Sequence, residues 1–161
     1  MSESSPNVHD PLPLRLRVDV KNQSLAVLRG DLIEKTYPIS TSRFGLGSEP
    51  GSYRTPLGQF QIAEKIGHTA PLGAVFKSRM PTGEIVGEGG EEDLVLTRIL
   101  WLDGLEADNA NTKPRYVYIH GTNQESLLGT PASHGCVRMA NAEIAELFEQ
   151  IPEGTLVEIV A

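Results

Sequence analysis

Residues Leu14 to Val20 read Leu-Arg-Leu-Arg-Val-Asp-Val, with apolar side chains at Leu14, Leu16, Val18 and Val20 and charged ones at Arg15, Arg17 and Asp19 between them. Successive side chains of an extended chain point to opposite faces, so this alternation describes a strand with one face in a core and the other in water. A helix would mix the two sets. The pattern continues outward: Lys21-Asn22-Gln23 supplies a turn, Leu25 to Leu28 a second strand, Arg29-Gly30-Asp31 a second turn, and Leu32 to Ile39 a third strand. The chain therefore opens as an antiparallel meander. Arg29-Gly30-Asp31 is read as hairpin chemistry, since an adhesion role needs an extracellular setting that nothing else here suggests.

Beyond the meander, Ser42 to Gly58 is dense in Gly, Pro and Ser and reads as a loop that delivers the chain into a strand at Gln59 to Ile66. Leu94 to Leu102 and Arg115 to His120 are rich in β-branched and aromatic residues and are expected to be central strands. Pro71 to Asp93 and Asp103 to Pro114 read as long irregular stretches, of the kind that serve as lids or mobile segments. Near the end, Ile144, Leu147, Phe148 and Ile151 share one face at helical spacing, so a helix is expected from Ala142 to about Gln150 with Asn141 as its cap. Thr155 to Val160 returns as a last strand. The fold class is mainly β with a minor α+β component, built as a β-sandwich-like domain with long loops and one helix towards the C-terminus.

With 161 residues the chain fits one domain with a sizeable core. Residues 1–13, rich in Pro and Ser, are expected to form a disordered arm ahead of a domain at 14–161. The 16 Gly and 11 Pro agree with a turn-rich β fold. A formal charge of −7 argues against nucleic acid and anionic lipid as partners, because both are bound by neutralising phosphate with Lys and Arg. No apolar run is long enough to cross a bilayer, and the opening residues lack a basic segment followed by an apolar one. The expectation is no membrane association and a cytoplasmic location, or a periplasmic one if Met1 is not the native start. One cysteine excludes an internal disulfide and leaves a free thiol.

That thiol lies in the most informative segment, Tyr116 to Met139, which also holds two of the four histidines. His120 stands where an apolar strand runs out into Gly121. A thiol attacks a carbonyl as thiolate, so it needs an imidazole to take its proton. His120 and His134 are the candidates. His134 is two residues before Cys136, which in an extended segment places both side chains on one face. Gly135 between them permits a tight turn, in which its amide and that of Cys136 can donate to a developing oxyanion.

His120-Gly121-Thr122 followed by Ser133-His134-Gly135-Cys136-Val137-Arg138-Met139 resembles the signature of the L,D-transpeptidase catalytic domain, often called YkuD-like. Thr55-Pro56-Leu57-Gly58-Gln59-Phe60 is similar to that family's upstream Thr-Pro-x-Gly-x-Phe segment, and the resemblance runs from about Leu14 to Val160. It implies a cysteine peptidase or acyltransferase in which Cys136 forms a thioester with a peptidoglycan stem peptide, at the L-centre of diaminopimelate, expelling D-alanine. It further implies that His120 is the general base, oriented by the carbonyl of Gly121, and that His134 and the amides of Gly135 and Cys136 shape the oxyanion site, with Ser133 as an orienting neighbour. Arg138, then Arg115 and Arg54, are the candidates to meet a substrate carboxylate. The expected partners are a stem tetrapeptide or muropeptide and carbapenem-type inhibitors, with no cofactor. The acceptor is either water, giving a cytoplasmic L,D-carboxypeptidase of murein recycling, or an amine, giving 3-3 cross-links or exchanged D-amino acids.

Each assignment has a plainer rival. A lone cysteine is commonly an inert buried hydrophobe, His120 a structural histidine at a strand end, and Arg138 a tie to a neighbouring carboxylate. Ser133 is read as a residue that fixes its own turn. His9 and His68 lie outside the motifs, where surface positions are the default. Zinc is disfavoured, since His134 and Cys136 lack the usual ligand spacing and no second cysteine exists. From another functional class, the chain can be a non-catalytic β-domain that binds wall peptides or glycans through the same groove.

Overall fold

The computed structural model describes residues 12–161. The arm expected over residues 1–13 lies outside the described residues except for Leu12 and Pro13. The meander forms as expected: β1 (Leu14–Asp19) pairs antiparallel with β2 (Ser24–Arg29), and β2 with β3 (Leu32–Ser40). Leu16 and Val18 of β1 are completely buried, as their alternation requires.

The remaining strands are β4 (Gly58–Ile66), β5 (Ala74–Lys77), β6 (Met80–Ile85), β7 (Val95–Gly104), β8 (Tyr118–Gly121), β9 (Val137–Met139) and β10 (Leu156–Val160). They form one sheet in the order β4-β10-β1-β2-β3-β9-β8-β7-β5-β6, and a further pairing of β4 with β7 closes it upon itself. The architecture is mainly β, with strands facing one another across a shared core and β5 and β6 appended as a hairpin. Helix α1 (Asn141–Gln150) turns Ile144, Leu147 and Phe148 into that core, where they meet Leu100, Ile119, Val137 and Val157. Burying each of these side chains contributes about 1.5–3 kcal/mol before conformational entropy is charged against it.

The structure differs from the sequence reading in four places, one being that the strand expected from Arg115 starts only at Tyr118. The stretch expected to be irregular from Pro71 to Asp93 contains the β5–β6 hairpin. Its outer strand β6 is wholly exposed and pairs only with β5, which is where Pro81 and Gly83 are tolerated because a sheet edge needs no donor on its outer side. Strand β9, three residues long and containing an arginine, gives no periodic signal. Finally, Asn141 is the first residue of α1 and not its cap. The carboxylate of Glu125 accepts the Asn141 amide at 2.8 Å, while the Asn141 side chain donates to the Thr122 carbonyl at 2.8 Å and accepts from the Thr97 hydroxyl at 2.5 Å.

Two features place the site. Strands β8 and β9 are parallel neighbours, with Ile119 opposite Val137 and His120 opposite Arg138, so the loop between them returns Cys136 to a position beside Tyr118. In β7, the ladder to β8 shifts between Leu96 and Ile99 at Thr97, a buried β-branched residue held at φ 75°. Such a conformation is sterically costly and needs surrounding contacts to hold it. Here the Thr97 hydroxyl accepts the Gly73 amide at 3.0 Å while donating to Asn141.

Candidate active site

The backbone amide of Tyr118 donates to Cys136 Sγ at 3.3 Å, and the sulfur lies 3.5 Å from the Tyr116 carbonyl oxygen. Cys136 keeps part of its surface open to a pocket of about 260 Å³ lined by Tyr53, Arg115, Tyr116, His134 and Gly135 among others. Its walls nonetheless crowd the sulfur. Burial pushes the thiol up to about 12; the Tyr118 amide, Arg115 and Arg138 pull it down, and Asp93 pushes it further up. Burial thus opposes ionisation of the thiol.

His120 is almost completely buried at the end of β8. Its Nδ1 lies 2.5 Å from the carbonyl oxygen of Gly121. A carbonyl only accepts, so Nδ1 carries the proton and Nε2 of the neutral ring is left as the acceptor. Burial lowers the imidazole below its ordinary value, and Arg138 adds to this, against Asp93 and the Gly121 carbonyl. Among the described residues no hydrogen bond joins Sγ to the imidazole. Gly121 itself must be glycine, since a Cβ there would run into the Asn141 side chain and the Leu96 carbonyl.

The turn that presents Cys136 is tied at each residue. Ser133 Oγ donates to the Cys136 carbonyl at 2.6 Å and accepts the Gly135 amide at 3.2 Å. Thr55, from the Thr-Pro-Leu-Gly segment, donates to the Gly135 carbonyl at 3.0 Å and accepts the Ser42 amide at 2.9 Å. Gly135 adopts φ 123°, which a residue with a side chain rarely takes.

Behind the turn sits Asp93. Its Oδ2 accepts Nδ1 of His134 at 3.0 Å and the His134 amide at 3.2 Å, while Oδ1 accepts Nη1 of Arg138 at 3.1 Å. Burial opposes the carboxylate's charge, but His120, the His134 hydrogen bond and Arg138 together hold its pKa below the ordinary value. Asp93 ends a Gly- and Glu-rich loop fastened to the segment after His120: Asn123 Nδ2 donates to the carbonyls of Gly89 and Glu92 at 2.9 and 3.0 Å, and Glu88 accepts the amides of Glu125 and Ser126. On its far side His134 meets Arg43, with Nη2 3.3 Å from Nε2, and packs against Phe44 and Tyr53.

A protein-family model for the L,D-transpeptidase catalytic domain, YkuD, matches residues 13–159. The chain belongs to the L,D-transpeptidase catalytic-domain family. YqjB of Bacillus subtilis is 32% identical over 142 residues, covering 88% of this chain and 68% of its own. YkuD of Bacillus licheniformis is 27% identical over 151 residues, covering 93% and 67%. The fold is that of solved L,D-transpeptidases. A crystal structure from Xylanimonas cellulosilytica superposes with TM-score 0.61 at 21% identity, covering 98% of this chain and 65% of that one. L,D-transpeptidase 3 of Mycobacterium tuberculosis, in complex with a faropenem-derived adduct, gives 0.59 at 15%, covering 92% and 60%. The chain thus spans about two thirds of the length of these relatives.

Within this L,D-transpeptidase domain the structure brings Cys136, His120, Gly121, Ser133, His134 and Gly135 to one end of β8 and β9. It also corrects several expectations. Arg138 does not face the pocket: its side chain is entirely buried and paired with Asp93 and with Gln124 Oε1 at 2.7 Å, because parallel pairing beside His120 turns it inward. The Gly135 amide is occupied by Ser133 and is not free to receive an oxyanion. Arg54 is exposed and 3.7 Å from Glu49, while its backbone carbonyl accepts Arg115 Nη2 at 2.8 Å. Arg115 alone of the three arginines lines the pocket. Sequence reasoning missed Asp93, Asn141 and the aromatic walls Tyr53 and Tyr116. The two tyrosines both have left-handed backbones, at φ 59°, which no residue-level pattern announces.

Proposed function

We propose that this domain performs cysteine-dependent acyl transfer on a peptidoglycan stem peptide, cleaving the bond between the L-centre of diaminopimelate and D-alanine. The observation that carries this reading is the placement of Cys136 at an open pocket, beside a strand whose terminal histidine is fixed in one tautomer by Gly121. Substrate enters the pocket with its carbonyl carbon against Sγ and a carboxylate towards Arg115. As Sγ attacks, the thiol proton passes to Nε2 of His120, which later returns it to the departing amine of D-alanine. The Cys136 amide is the oxyanion donor we assign. Because the thiol is pushed up and the imidazole down, proton transfer is uphill in the empty site and accompanies attack.

Water resolves the thioester in this reading, which makes the domain an L,D-carboxypeptidase of murein peptide recycling in the cytoplasm. An amine acceptor, attacking the thioester as its neutral free base, would make the domain an L,D-transpeptidase instead. Incubation with a stem tetrapeptide, with and without a D-amino acid, separates the acceptors by product mass: tripeptide alone means hydrolysis, and an exchanged terminus means transfer. Cys136→Ala abolishes both. A variant that binds the tetrapeptide as before, from a wild type that never turned it over, would instead identify a wall-binding domain. A carbapenem is expected to add covalently at Cys136, and an unchanged intact mass after exposure sinks the assignment.

A further inference from the structure

Arg138 carries a charge it cannot lose, and its side chain has no exposed surface. A buried guanidinium is tolerated when an opposite charge and hydrogen bonds satisfy it. Among the described residues, Nε and Nη2 of Arg138 have no hydrogen-bond partner, and Nη1 alone reaches a neutral amide, Gln124, and an anion, Asp93. On β9, Arg138 stands opposite His120 of β8 on one side and Ser40 of β3 on the other. Cross-strand partners point to the same face, so the guanidinium shares the imidazole's side of the sheet.

We propose that Asp93 is a positioning residue of this centre: by bridging Arg138 and His134 it holds the guanidinium beside the His120 and Cys136 pair and cancels the greater part of that cation's field. This rests on reading Cys136 as the nucleophile. The groups that face the pair come from four elements. Asp93 is in the loop before β7, Arg138 is on β9, Arg115 and Tyr118 flank the thiol from the start of β8, and His134 lies in the turn. The two members of the bridge act with opposite sign. Asp93 opposes the thiolate and favours protonated imidazole, whereas Arg138 does the reverse. Without Asp93, the cations act on the sulfur unopposed and His120 becomes a weaker base. Without Arg138, the anion acts alone.

The single cysteine makes the test direct, because iodoacetamide alkylation at fixed pH reports the thiolate fraction of one sulfur and needs no substrate. Asp93→Asn is expected to alkylate about tenfold faster than the wild type and Arg138→Gln about tenfold slower, each corresponding to roughly one pKa unit. The double variant, with neither charge, returns to within about threefold of the wild type. Asp93→Glu keeps the charge and most of the wild-type rate. Melting curves verify that each variant is folded. Single variants that shift in the same direction, or that do not shift, overturn the proposal. Should an unpaired buried charge unfold a single variant, the double variant still decides, since a rate more than about tenfold from the wild type sinks the cancellation. A tetrapeptide assay that shows no turnover while these alkylation shifts are observed removes the proposed reaction and leaves the bridge standing.

Discussion

The Thr55 hydroxyl donates to the carbonyl oxygen of Gly135 at 3.0 Å, joining residues 80 positions apart in the chain. The Thr55 hydroxyl oxygen in turn accepts the Ser42 amide, so one side chain fixes two loops at the wall of the thiol pocket. Thr55→Val keeps the shape and removes both bonds. We expect a loss of about 1–3 kcal/mol in denaturant unfolding, because a buried carbonyl and a buried amide lose their partner. Turnover should fall as well, as the turn bearing Cys136 is released. Unchanged turnover in a destabilised variant would show that Thr55 supports the fold and not the site.

His120→Ala removes the imidazole that the Gly121 carbonyl orients on β8. Turnover of a stem tetrapeptide is expected to drop by about 10²–10⁴-fold, the usual contribution of a positioned general base. Stability should change much less, which circular dichroism and melting would report. Activity at the wild-type level would transfer the role of base to His134.

Gly121→Ala places a methyl group against the Asn141 side chain and the Leu96 carbonyl. Since Asn141 also bonds Thr97 and Thr122, the methyl must displace the clamp that aims the Gly121 carbonyl at His120. The expected result is a folded but destabilised protein, by about 1–3 kcal/mol as for other overpacked sites, with a larger loss in kcat than in KM. Wild-type kcat in this variant would show that the clamp does not orient the imidazole.

The thiol gives the stability a pH dependence of definite sign. Its folded pKa is raised from 9.0 to about 12, so the unfolded chain loses this proton first as pH rises. Stability tied to Cys136 is therefore complete below 9.0 and declines up to about 12. Urea unfolding at pH ~8 and pH ~10.5 should show a loss in the wild type that is smaller in Cys136→Ser, whose hydroxyl does not titrate there. Equal losses in the two proteins would mean that the sulfur ionises in the folded state as easily as in the unfolded one. His120 acts at the other end: with its folded pKa depressed below 6.5, its contribution is present above that value and is lost as pH falls.

Much of the molecule is legible in its sequence where one physical rule dominates. β1 and α1 declare themselves because each has one face in the core and one in water, and that period survives in the residues, while β2 and β7, buried on both faces, show as short apolar, β-branched runs. The β5–β6 hairpin is hidden because β6 buries nothing and contains Pro81 and Gly83. Cys136 and His120 stand out through their motifs. Asp93 does not, since it ends the acidic run Glu91-Glu92-Asp93 and only the folded chain distinguishes the one carboxylate that turns inward. Arg138 misleads for a related reason. Arginine is mostly a surface residue, and its burial here follows from the parallel pairing of β8 with β9, which local sequence does not encode.

Closure of the sheet by β4 and β7 also bears on how copies of this protein behave at high concentration. Among the described strands, the ring leaves the outer side of β6 as the sheet's free margin, and Pro81 deprives that margin of a donor. A margin of this kind is a poor template for strand-by-strand growth of aggregates, so the native domain is expected to stay dispersed where an open sheet of the same size would stick. Replacing Pro81 with a β-branched residue would restore the template, and turbidity on concentration is where the difference would be seen.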